Sequence, residues 1–270
     1  MNLRSLLFVP GTRTELLAKV PRWAPDVVIL DLEDAVPEAE KDAARLAVAE
    51  ADFSEAGTTV LIRINPPGTP WYELDIAACL DTAAAGIVFP KGEDPDAVVA
   101  LRDRLAKSAP GLAILLGIES ALGIARAREL LTTGVAAAFF GSEDFLADMG
   151  GRRTASGLEV LYARSEVALA GRLAGVPTID QTVVAIEDDD AFTADAEMGR
   201  ALGYVGKICI HPRQVALAHA VFTPSEAEVA KARRILDATA TGVGVVDGLF
   251  VDAVHIRMAE QVLERAEENR

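Results

Sequence analysis

Eight short apolar runs, spaced along residues 5–211 and separated by longer stretches mixing Ala and Leu with Arg, Glu and Asp, constrain the fold of this chain more than any other feature. They cover residues 5–10, 26–31, 59–65, 86–91, 113–118, 135–141, 177–181 and 205–211. Each has strand length and a nearly continuous apolar character, as a strand needs when both faces of its sheet are covered. The segments between them, 12–20, 38–50, 71–84, 95–106, 121–132, 158–174 and 191–202, are amphipathic and of helical length. Strand and helix alternating in this way build a parallel sheet, because each parallel partner needs a crossover. Eight such units predict an α/β fold, a (β/α)8 TIM barrel, with an open doubly wound sheet as the alternative. The only nucleotide-like glycine pattern, GVGVVDG at 242–248, follows no predicted strand and opens no helix, so it does not read as a dinucleotide site.

Residues 1–220 suffice for the barrel, and 221–270 form a helical extension or lid. In that extension Thr223 or Ser225 can cap a helix with Pro224 in its first turn, a Gly-rich link follows, and an amphipathic helix spans 253–267. The net charge of -15 excludes a broad nucleic-acid or anionic-membrane surface, while leaving room for a locally basic site that takes a small anion. Two cysteines, Cys79 and Cys209, are too few for a disulfide framework and read as buried apolar residues. The start, MNLRSLLFVPG, is too short and too early in Pro for a secretion signal, and no run spans a bilayer, so a cytoplasmic location is expected.

In a barrel of this kind the chemistry lies where strands end. The ends carry Arg13, then Asp31, Glu33 and Asp34, Arg63 and Asn65, Lys91, Glu119, Glu143 and Asp144, Asp180 and Gln181, and His211. A single such acid can simply cap a helix, and a single Arg can neutralise a neighbour. Charge at nearly every strand end is different: carboxylates crowded at one mouth repel or protonate unless a cation holds them ionised. Glu119 and Asp144 offer only oxygen, which points to Mg²⁺ or Mn²⁺ and away from Zn²⁺. Such an ion keeps positions open for a chelating 2-oxo or 2-hydroxy acid, whose carboxylate or developing enolate Arg63 can grip. Glu143, one residue from Asp144, is expected to point elsewhere. His211 reads as a histidine packed at a strand end, and His219 and His255 as surface residues. No serine elbow, HExxH or P-loop occurs.

The segments LLFVPGTR, VVILDLEDAV with KDAAR, VLIRIN, IVFPK, GIES, FFGSEDFLADMGGRRT, KICIHPRQV, FTPSEAEVAKARRIL and GLFVDAV, in this order, resemble the citrate lyase β-subunit-like family of the HpcH/HpaI aldolase superfamily, which includes malyl-CoA and citramalyl-CoA lyases. The resemblance implies a Mg²⁺-dependent barrel enzyme that cleaves or forms a carbon–carbon bond next to a CoA thioester, with an acyl-CoA thioester and a small 2-oxo acid as its partners. It makes Glu119 and Asp144 the metal ligands and Arg63 a substrate and enolate contact. Arg13, Lys91 and Glu119 become substrate-binding residues, and Glu33 and Asp34 catalytic ones. It also implies a homotrimer in which Asp252 of one subunit closes over its neighbour's site as proton donor or acceptor. Relatives commonly carry V-D-x-P there, whereas this chain has VDAV with Val254, which leaves Asp252 without the stiffening of a proline. Thioester hydrolysis, a CoA-independent pyruvate-type aldolase, and a citrate lyase β subunit working in a carrier-protein complex remain the alternatives.

Overall fold

Along each strand, side chains alternate between the barrel axis and the surrounding helices, and the sequence supplies apolar residues to both sides. In the computed structural model, which describes residues 2–239 and 243–268, the strands are β1 (Ser5–Pro10), β2 (Val27–Asp31), β3 (Thr59–Arg63), β4 (Gly86–Phe89), β5 (Ala113–Ile118), β6 (Ala137–Phe140), β7 (Thr178–Asp180) and β8 (Gly206–Cys209). Each pairs in parallel with the next, and β1 pairs with β8, closing the barrel. Every strand contributes to the interior cluster: Leu6, Ile29, Leu61, Val88, Leu115, Phe139, Ile179 and Ile208 meet there. Their sequence neighbours Leu7, Val28, Ile62, Ile87, Leu116 and Ala138 are buried against the outer layer. Truncating one such side chain, for example Ile29 to Ala, removes about 2–5 kcal/mol of stability.

The outer layer comprises α1 (Lys41–Glu50), α2 (Tyr72–Leu80), α3 (Pro95–Ser108), α4 (Ala121–Ala125), α5 (Ala127–Leu130), α6 (Ser142–Met149), α7 (Leu158–Ala174) and α8 (Asp189–Leu202). It departs from the sequence reading in three places. The segment after β1, Gly11–Arg22, is a 3₁₀ helix, consistent with the Pro21 inside it and a kink at Arg13 (φ −125°). The predicted helix 121–132 breaks into α4 and α5 at Arg126, after Ser120 caps Gly123 and Gly123 packs against the Gly92 carbonyl too closely to admit a Cβ. An additional helix, α6, follows β6.

The chain divides into two units, residues 3–218 and a second beginning at His219. Helices α9 (Pro212–Phe222), α10 (Glu226–Ala238) and α11 (Ala253–Glu268) complete the list. Ser225 caps α10 through a reciprocal box with Glu228. The expected Gly-rich link begins outside the described residues, and its part from residue 244 on is a hairpin of β9 (Gly244–Val246) and β10 (Leu249–Val251), turned by Asp247 (φ 51°) and Gly248 (φ 77°). Cys79 and Cys209 are free and buried. Among the described residues no helix is long and apolar enough to cross a membrane.

Candidate active site

The register of β2 and β3 places Asp31 directly beside Arg63. The guanidinium makes a two-pronged bond to Asp31, Nε to Oδ1 at 2.7 Å and Nη2 to Oδ2 at 2.5 Å, and lies 4.9 Å from the centre of the Phe8 ring. Such a fork fixes the plane of the cation as well as its position. Asp31 also accepts the Glu33 and Ala35 amides, at 2.9 and 3.2 Å, and thereby folds the loop after β2 so that Glu33 Oε2 stands 2.9 Å from Arg63 Nη1. The Lys41 ammonium, only 6% exposed, secures the same loop by donating to the Leu32 and Glu33 carbonyls at 2.8 and 2.7 Å. Asn65, itself held by Asp75, gives the Leu32 carbonyl a second donor.

Lys91, at the end of β4, has φ 48°. That left-handed conformation costs a non-glycine residue about 1–3 kcal/mol and persists only where its surroundings demand it. Here the Lys91 amide donates to Glu119 Oε1 at 3.0 Å, while Nζ lies 2.8 Å from Glu33 Oε1 and 3.3 Å from both Asp34 Oδ1 and Asp144 Oδ1. Glu119 extends β5 and is buried between two glycines; a Cβ on Gly141 would stand 2.5 Å from its Oε2, and one on Gly117 closer still. Asp144 enters from the first turn of α6 with a third of its side chain exposed.

Burial pushes the Glu119 carboxyl up to about 8, with Glu33 and Asp144 adding to the rise and Arg63 opposing it. Burial likewise lifts Glu33 to about 7 against the pull of Arg63. Desolvation works against the charge on Arg63, yet Asp31, Glu33 and Glu119 hold its pKa above the ordinary arginine value. Among the described residues the mouth is short of positive charge: Asp31, Glu33, Asp34, Glu119 and Asp144 have Arg63 and Lys91 beside them, with Lys41 adding a longer-range attraction to Asp31, Glu33 and Asp34. Glu33 Oε2, although close to Arg63, has no aligned hydrogen-bond donor. An all-oxygen, electron-rich mouth of this kind fits a hard divalent cation bound by Glu119 and Asp144. Among the described residues no group of three or more His, Cys, Asp or Glu side chains is gathered for a metal, so those two acids would leave most coordination positions to water or a chelating ligand.

Other strand-end residues go elsewhere. Asp180 does not face the mouth: Ile179 points inward, so Asp180 points outward, fully buried, bonded to Arg164 at 2.6 Å and to Lys207 at 2.7 Å. His211 is exposed, not packed, and its Nδ1 accepts the Arg213 amide at 3.3 Å. Glu143 turns away from Lys91 and pairs with Arg153. Arg13 is exposed and bonded to Glu15 at 2.5 Å. Asp252, in the second unit, opens α11: its Oδ1 accepts the Val254 amide at 3.0 Å and lies 2.9 Å from His255 Nδ1, and the bond to His255 holds its carboxyl below the usual range. Lys41 and Asp75 escaped the sequence reading, although Lys41 opens the KDAAR segment, and Asn65, named there as a strand-end residue, supports the loop after β2.

Residues 4–212 match the HpcH/HpaI aldolase/citrate lyase family, and residues 157–268 match the carbon–carbon bond lyases of the TIM-barrel fold. This chain belongs to the HpcH/HpaI aldolase/citrate lyase family. It is similar to the citrate lyase subunit beta-like protein of Deinococcus radiodurans, with 48% identity over 92% of this chain and 89% of that protein. Two proteins of Cereibacter sphaeroides, a (3S)-malyl-CoA thioesterase and an L-malyl-CoA/beta-methylmalyl-CoA lyase, are 33% and 35% identical, over 98% of this chain and 94% of each of theirs. The crystal structure of the CitE protein of Mycobacterium tuberculosis in complex with magnesium, acetoacetate and coenzyme A superposes with a TM-score of 0.86 and 32% identity, covering 98% of both chains. As a member of this family the chain is an enzyme of the carbon–carbon lyase class, and homologous structures in that family hold magnesium.

Proposed function

We propose that this chain is a Mg²⁺-dependent acyl-CoA lyase that cleaves or forms the carbon–carbon bond of a 3-hydroxy-acid CoA thioester of the malyl-CoA or citramalyl-CoA class. The reading rests on one observation: Glu119 and Asp144, both oxygen donors, converge on Lys91 beside a buried Arg63 in a mouth short of positive charge. The malyl-CoA substrates named for the Cereibacter relatives, and the magnesium, acetoacetate and coenzyme A of the CitE complex, support the same substrate class.

Held by Glu119 and Asp144, Mg²⁺ supplies Lewis-acid polarisation of the substrate oxygens. Arg63, locked by Asp31, keeps its charge against the hydroxy-acid end and stabilises the negative charge that develops there. Glu33, with its carboxyl lifted to about 7, is suited to accept the hydroxyl proton near neutrality. As that proton leaves, the hydroxyl carbon becomes the carbonyl of glyoxylate or pyruvate, and the electron pair of the broken bond passes to the thioester α-carbon. Asp252, supplied by a neighbouring copy in a homotrimer, closes over that carbon and, its own carboxyl being held below the usual range, relays a proton to it from solvent, releasing acetyl-CoA. Lys91, itself paired with Asp34, holds Glu33 in place, and the exposed Arg13 contacts substrate. The thioesterase among the relatives favours a second outcome at the same site, attack of water on the thioester.

The test incubates purified protein with Mg²⁺ and malyl-CoA or either citramalyl-CoA isomer, and follows 2-oxo acid and CoA species by mass spectrometry. Glyoxylate or pyruvate should appear with acetyl-CoA, at a rate at least about 100-fold lower in Glu119→Ala. Free malate and CoA without a 2-oxo acid would make the enzyme a hydrolase. Absence of both, or full activity in Glu119→Ala, refutes the proposal.

A further inference from the structure

Helix α6 carries Asp144 in its first turn, but that turn has no cap of its own, because its N-cap residue is Gly141, which has no side chain to accept from the exposed amides. A ligand-bearing turn without a local anchor needs an external one. After α6 the chain reverses at Gly150 (φ 64°), and the GGRRT segment brings Arg153 back to the start of the same helix. Arg153 Nη2 donates to Ser142 Oγ at 2.6 Å and to the Glu143 carboxylate, the two residues immediately before Asp144. Its Nη1 donates to Gln181 Oε1 at 3.3 Å.

Gln181 is 1% exposed, and its own amide donates to Asp195 Oδ1 at 3.0 Å. Asp195 in turn accepts from the fully buried Lys207 at 2.5 Å and from Arg164 at 3.1 Å. One planar guanidinium thus ties the uncapped turn to a buried charge network on the outer wall of β7 and β8. A lysine, with its single nitrogen, cannot span the three acceptors in the same geometry.

We infer that Arg153 is a positioning residue that fixes the first turn of α6, and with it the direction in which Asp144 meets the divalent cation. The inference rests on the metal site proposed above. Supporting partners of metal ligands typically alter affinity by about 10–100-fold, and that is the effect expected of Arg153.

The test uses Mn²⁺ as the probe and reads its dissociation constant on the full chain from the paramagnetic resonance signal of the free ion. Arg153→Met should weaken Mn²⁺ binding at least about 10-fold, Arg153→Lys should restore part of the loss, and Gln181→Leu, which removes the second anchor, should move affinity in the same direction. Should Arg153→Met fail to fold, a fall in Arg153→Lys relative to the parent protein carries the same inference. Saturable Mn²⁺ binding that is weakened by Glu119→Gln but unchanged in the Arg153 variants overturns the inference alone. No saturable binding by the unmodified protein, or binding indifferent to Glu119→Gln, overturns the metal site and the inference with it.

Discussion

Replacing Glu119 by Gln should make the metal-free protein more stable, by an amount that grows with pH. In the unfolded chain this carboxyl titrates near 4.5, and in the barrel at about 8. Because the folded value is the higher one, the stabilisation that the neutral acid provides is complete below pH 4.5 and is lost as the pH rises through 8. Linkage turns that difference into a loss of about 3 kcal/mol at pH 7 and about 5 kcal/mol at pH 9. Gln keeps an oxygen for the Lys91 amide and cannot ionise, so it escapes the loss. For a domain of this size each kcal/mol moves Tm by roughly 2–4 °C, so the variant should melt roughly 6–12 °C above its parent at pH 7. Scanning calorimetry in EDTA across this pH range measures the gap. It should close toward pH 4.5, where both side chains are neutral. Added Mg²⁺ should raise the Tm of the parent protein and leave the variant where it was, since only a state that binds the ion gains from it. A gap that does not change with pH, or equal Mg²⁺ stabilisation of both proteins, refutes the reasoning that Glu119 is a buried, undercompensated metal ligand.

Two further perturbations separate scaffold from chemistry. Lys207→Met leaves Asp180 and Asp195 with one fewer buried cation and should cost about 3–5 kcal/mol in urea unfolding; an unchanged midpoint would remove the network from the list of stabilising features. Arg63→Lys keeps the charge but loses the fork to Asp31, and kcat/KM for the thioester should fall about 100-fold or more; turnover equal to that of the parent protein would deny Arg63 its role.

The closed barrel was legible in the chain because buried parallel strands and amphipathic crossovers differ in length and period, and both patterns survive averaging along the sequence. The placement of Glu119 and Asp144 beside Lys91 at the mouth was also legible, as acids just beyond apolar runs. The DG pair of the tail hairpin was present too: VVDGLF sets Asp-Gly between apolar residues, the pattern of a two-residue turn, within a stretch whose glycine content resembles that of a link. Gly123, by contrast, is required by the approach of a carbonyl distant in sequence, that of Gly92, and the break at Arg126 a few residues on has no local pattern that reveals it.

What the tertiary structure decided was which strand-end charges meet. Glu119 and Asp180 look alike in sequence, each an acid closing an apolar run. A strand turns successive side chains to opposite faces, so one residue of register sends Glu119 into the mouth and Asp180 into the wall behind it. Register is set by pairing with neighbouring strands, and it also puts Asp31 against Arg63 and converts two residues of separate runs into one clamp. The sequence by itself determined which groups the barrel could offer. Only the closed sheet determined which of them share a low-dielectric mouth, where carboxyl groups that are ordinary in water are held near neutrality.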